Sequence, residues 1–61
     1  MRMQSPVQDK TPLRVALAQF NDAFGDDLTL PMWPETVRAA AELAELRGRK
    51  DIAEAILAAL N

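Results

Sequence analysis

The sequence predicts an all-α fold, a small three-helix unit over about 12–24, 34–47 and 51–60 that is completed by self-association. Apolar residues recur at helical spacing in three separate stretches, and prolines and glycines stand at the ends of those stretches rather than inside them. The alternating Val, Ile, Thr or Tyr runs that mark a strand are absent from the sequence. With 61 residues the chain is one domain at most, and it buries a smaller share of its surface than a larger protein does. Hydrophobic residues make up 49% and charged residues 26%, which is a globular composition. Alanine dominates the apolar share. It favours helices but buries little area, so the core it builds is weak for its volume.

Residues 1–10 are polar and aperiodic and contain Pro6, so they read as a flexible tail ahead of a single helical domain, 11–61. The first helix follows at 12–24. Thr11 suits the cap and Pro12 the first helical position, where no N–H is needed. Leu13, Ala16, Leu17, Phe20 and Phe24 then form one stripe. Gly25 can take the left-handed conformation that closes a helix.

Residues 25–34 carry two prolines, which exclude a regular helix or a central strand. They also carry Leu28, Leu30, Met32 and Trp33, which a solvated loop would not need. The segment reads either as a plug folded onto the bundle or as a partner-binding patch of Leu30, Met32 and Trp33, with the tryptophan as anchor.

The second helix opens on Pro34, with Glu35 near the positive end of its dipole. Arg38, Glu42, Glu45 and Arg49 form a polar stripe with two i,i+4 pairs, opposite Val37, Ala40, Leu43 and Ala44. Carried onward by helical steps, that stripe runs into Ile52, Ile56 and Leu60. A continuous helix would therefore turn its solvent face into its core face. A break at Gly48 removes the conflict. Asp51 then reads as an N-cap with Glu54 as its capping-box partner, opening a third helix over 51–60.

The residue inventory excludes most catalysis. There is no cysteine, histidine or tyrosine, and the one serine, Ser5, lies in the tail. Lys10 and Lys50 stand in polar contexts that do not depress a lysine pKa. Asp22, Asp26 and Asp27 cluster without the alternating spacing of a calcium loop and read as a solvated acidic turn. The expectation is a protein with no catalytic residue, cofactor or metal site. A net charge of -2 and a pI of about 4.8 supply no electrostatic footprint for nucleic acid or an anionic membrane. Met1–Pro6 lacks the apolar stretch of a signal peptide, and no apolar run reaches membrane-spanning length. The expected compartment is the cytoplasm.

The predicted core is Leu13, Leu17, Phe20, Phe24, Val37, Ala40, Leu43, Ala44, Ile52, Ile56 and Leu60. The third helix has apolar side chains around most of its circumference, more than two neighbours need. This points to a homodimer with Ile52, Ile56, Leu57 and Leu60 in the interface. The functional expectation is a non-catalytic protein–protein interaction module, a small adaptor or regulator. The alternative is a DNA-binding regulator presenting Arg47, Arg49 and Lys50. Ala44 and Gly48 do stand at the spacing of a helix-turn-helix turn. Glu54, however, occupies a position that should be apolar, and the helix that follows has almost no side chains to read base edges. In an up-down-up bundle the acidic and basic clusters would lie at opposite ends.

Overall fold

A computed structural model describes residues 6–60. It contains α1 (Thr11–Phe24), α2 (Pro34–Leu46) and α3 (Lys50–Leu60). Among the described residues the only β-pairing is a single antiparallel bridge, Val7 to Met32.

Local chemistry accounts for each helix end. Lys10, rather than Thr11, occupies the cap of α1 and makes no side-chain capping bond. The Lys10 carbonyl accepts the Arg14 N–H at 2.8 Å, which draws Thr11 into the first turn. At the other end Gly25 has φ 69, and the N–H groups of Gly25 and Asp26 both donate to the Asn21 carbonyl at 2.8 and 3.1 Å. These bonds satisfy donors and a carbonyl that the helix end would otherwise leave open.

The break at Gly48 is complete. α2 ends at Leu46, Arg47 has φ -90, and Gly48 turns left-handed at φ 83. The Gly48 N–H donates to Glu45 O at 3.0 Å and the Arg49 N–H to Ala44 O at 2.8 Å, the Schellman pairing. A Cβ added at Gly48 would meet nothing within 4 Å, so the demand for glycine comes from the backbone alone. Gly48→Ala should cost about 1–2 kcal/mol, the strain of a left-handed alanine. The check is the urea midpoint, which an easily relaxed turn would leave unchanged.

The expected capping box at α3 does not form. The helix starts at Lys50, with the Arg49 carbonyl accepting the Ala53 N–H at 3.1 Å. Asp51 therefore sits inside the first turn, and Arg49 grips its carboxylate through Nε at 3.1 Å and Nη2 at 3.0 Å. Chiefly through that hydrogen bond, Arg49 holds the Asp51 carboxyl below the usual carboxylate range, and Asp51 raises Arg49 in turn. Because Arg49 lies beyond the end of α2, the expected Glu45–Arg49 pair is absent. Among the described residues no ion pair joins Arg38 to Glu42.

The three helices do not run up-down-up. The Val7–Met32 bridge ties the chain just before α1 to the chain just before α2, through N–H to O distances of 2.6 and 3.2 Å. At the other end the Arg47 guanidinium lies 5.0 Å from the centroid of the Phe24 ring, so the C-termini of α1 and α2 also adjoin. α1 and α2 thus point the same way, and residues 25–33 carry the chain back along α1. α3 runs antiparallel to both and packs on each of them, whereas α1 and α2 scarcely meet.

The core is Leu13, Ala16, Leu17, Phe20, Val37, Ala40, Ala41, Ala44, Ile52, Ala53 and Ile56. Five of these eleven are alanine, which lets the helices approach closely but buries little area. Ala41 and Ala53 join the core because α2 and α3 sit close enough to cover small side chains. Phe24, Leu43 and Leu60, expected inside, are only partly buried at its margin.

Candidate functional site

The returning loop is pinned by one side chain. Asn21 Nδ2 donates to Leu28 O, and the Leu28 N–H donates to Asn21 Oδ1, both at 2.9 Å. With Leu28 fixed, Leu28, Leu30 and Met32 turn inward and pack on the core. The Leu30–Pro31 peptide bond is cis. Trp33 follows directly, holds the cap position of α2, and remains 51% exposed. The plug reading therefore holds for Leu28, Leu30 and Met32, and Leu30 and Met32 do not stand out as a patch beside Trp33. Three of its large side chains plug the bundle, and the tryptophan faces out.

The segment expected as a tail also takes part in this region. Residues 1–5 lie outside the described residues, and Val7 packs against the core beside its bridge to Met32.

Among the described residues, large exposed apolar side chains are Val15, Trp33, Leu46 and Leu57. Leu57, 43% exposed, stands over a groove of about 240 Å³ between α2 and α3. Ala41 and Ala53 line the groove with it, and Arg38, Glu42 and Glu45 edge it along α2. The other residues expected in a dimer interface lie elsewhere. Ile52 and Ile56 are at most 1% exposed and belong to the chain's own core, so they offer no surface to a second copy. Leu60 is partly buried against that core.

Comparison with protein-family models, curated proteins and solved structures finds no match.

The basic trio is brought close to the acidic one rather than set at the far end. Asp22 closes α1 and Asp26 follows Gly25, at the end where Arg47 covers Phe24. Arg49 is engaged by Asp51, and Lys50 opens α3. Every ionisable side chain among the described residues is exposed, and no group of three or more Asp or Glu among them is arranged to hold a metal ion. No helix among the described residues is long and apolar enough to cross a membrane.

The sequence singled out Trp33 and Leu57, both of which are exposed, but gave no sign of the floor and rim of the groove. Ala41 and Ala53 gave no signal of their own, because alanine is common on every face of these helices. Arg38, Glu42 and Glu45 read as an ordinary solvated stripe. They acquire meaning only when α3 is laid beside them.

Proposed function

We propose that the chain is a non-catalytic protein–protein interaction module, a small helical adaptor or regulator that works as a homodimer. The observation that carries this reading is Leu57, 43% exposed at the groove between α2 and α3. A leucine held out on the surface of a helix hairpin is apolar area that association can bury. The alanine-rich core supports the same reading. A single short chain with so little buried area gains much from a second copy. Trp33, exposed at the other face of the loop, remains available to a further protein, and tryptophan is a frequent anchor of such contacts.

The test is sedimentation equilibrium over a wide concentration range, with helicity recorded on the same samples. The wild-type chain should dimerise. Leu57→Glu should weaken dimerisation by at least about tenfold, since a buried unpaired carboxylate costs more than 1.4 kcal/mol. Its helicity should persist, because the site is on the surface. Dimerisation unchanged by this substitution would refute the interface.

The DNA-binding alternative draws less support from the charge arrangement. Two of its three cations are engaged, by Phe24 and by Asp51, and the turn adjoins the acidic end of α1. Phosphate binding gains with every free cation, and here the local field is mixed.

A further inference from the structure

α2 packs on α3 but scarcely meets α1, and a cleft of about 200 Å³ opens on that second flank. Its floor, Phe20 and Ala40, is buried and offers a partner nothing. Its walls are open. Leu28 and Leu43 are only partly buried, and Ala39 is exposed. Leu46 prolongs the α2 wall, since Ala39, Leu43 and Leu46 fall at i, i+4 and i+7 on one side of the helix. At 83% exposed, Leu46 is the most exposed large apolar side chain among the described residues. A lone surface leucine is ordinary, but one that continues the wall of an apolar cleft enlarges a contiguous patch.

The margin of this patch is acidic. Asp26 lines the cleft on the loop side, and Asp27 follows it in the chain. On the crest of α2, Glu35 and Glu42 each stand one turn before an apolar member of the stripe, Ala39 and Leu46. Among the described residues no ion pair engages Asp26, Asp27 or Glu42. An occupant therefore meets apolar side chains along the middle and carboxylates on both sides, which cations on its own flanks would complement. A second copy is a poor occupant, because it would bring the same four carboxylates from each chain into one contact. The wall is straight, runs along a helix of 13 residues, about 20 Å, and carries small side chains at Thr36 and Ala39. That is the shape into which another helix lays its apolar face.

We propose that this face of α2 docks an amphipathic helix with basic flanks from another protein. Its apolar side chains lie among Leu28, Ala39, Leu43 and Leu46, and its lysines or arginines face Asp26, Asp27 and Glu42. Docking of this kind rests on the interaction-module reading above but not on the homodimer, because Leu57 stands over the groove on the other flank of α2.

The experiment measures binding of two labelled 15-residue peptides to the full chain by fluorescence anisotropy. One carries leucine at i, i+3, i+4, i+7, i+8 and i+11 and lysine elsewhere, and the other has glutamate in place of every lysine. The leucine–lysine peptide should bind, and the leucine–glutamate peptide should bind at least about tenfold more weakly. Leu46→Gln should weaken the first peptide about tenfold, which is what burying a leucine is worth, and its helicity should persist because the side chain is exposed. Asp26→Lys should weaken it by more than Glu54→Lys, which makes the same change in net charge on the exposed side of α3. Leu57→Gln should leave it within a few-fold of wild type.

Equal losses from Asp26→Lys and Glu54→Lys would mean attraction by net charge alone and would overturn the site. So would unchanged binding by Leu46→Gln, equal binding of the two peptides, or no binding of either. If Leu46→Gln instead lowers self-association in sedimentation equilibrium, the face belongs to a second copy and the heterologous helix is wrong. A monomer that binds the leucine–lysine peptide through Leu46 overturns the homodimer reading alone. A dimer lost with Leu57→Glu that binds neither peptide overturns the docking alone.

Discussion

Phe20→Ala should abolish cooperative folding. Phe20 is 1% exposed and is the largest fully buried side chain among the described residues. It meets Phe24 edge to face, with ring centroids 4.8 Å apart and planes at 75°. It also lines, together with Leu28 of the returning loop and Ala40 and Leu43 of α2, a cleft at the edge of the core. Removing it takes away the group that joins α1 to the loop and α2, where helix-to-helix contact is slight. Phe→Ala substitutions in cores cost about 3–5 kcal/mol. A domain of this length has a total stability of roughly 3–9 kcal/mol from typical per-residue values. Circular dichroism during heating should therefore show a broad, weak transition in place of a sharp one. A sharp transition shifted by only a few degrees would mean that the cleft collapses around the loss. Phe24→Ala, at a partly buried position, should cost less.

The second large effect should come from Asn21→Ala. Asn21 does three things within one turn of helix. Its backbone carbonyl accepts the N–H groups of Gly25 and Asp26, its side-chain amide donates to the Leu28 carbonyl, and its side-chain carbonyl accepts the Leu28 N–H. The two side-chain bonds are partly buried. Their loss leaves both polar groups of Leu28 without partners unless the loop opens to water. At about 0.5–1.5 kcal/mol for each bond, the loss should be about 1–3 kcal/mol. Amide exchange at Leu28 should accelerate with it, which a general loss of helix stability would not single out. Asn21→Asp separates the two bonds. Its carboxylate still accepts the Leu28 N–H but faces the Leu28 carbonyl with lone pairs, so at neutral pH it should be no better than alanine. Protonation restores a donor and is favoured in the folded state, so stability relative to wild type should recover as pH falls into the ordinary carboxylate range and be fully recovered below it. An Asp variant as stable as wild type at neutral pH would show that the donor bond contributes nothing.

These two positions differ in how they could be read beforehand. Phe20 belongs to a stripe at i, i+3, i+4 and i+7, so its burial follows from helical geometry alone. Asn21 lies beside that stripe with no periodic or motif signal. Its role depends on Leu28, seven residues away, returning along α1. Ala41 and Ala53 are similar. An alanine is buried or exposed according to what lies over it, and the covering helix is known only once α2 and α3 are docked. The capping box misled for a related reason. Asp51 and Glu54 have the right spacing, but Arg49 offers Asp51 a two-pronged hydrogen bond, and the helix starts one residue earlier.

What the sequence determined by itself is local. Pro12 and Pro34 sit in the first turns of α1 and α2, Gly25 and Gly48 end those helices, and apolar spacing assigns each helix a buried face. These outcomes depend on backbone sterics and a 3.6-residue period, both of which act over a few residues. Tertiary structure alone decided the direction of α2. The nine residues 25–33 can span up to about 30 Å when extended, more than the roughly 21 Å length of the fourteen-residue α1, so they can return the chain to its starting end. Periodicity assigns a face but not a direction. Burying Leu28, Leu30 and Met32 against the core favoured the return, and it brought the C-termini of α1 and α2 together under the Arg47–Phe24 contact. The same choice placed α3 against both helices and left Leu57 standing over the groove, because a side chain's exposure is set by what docks beside it.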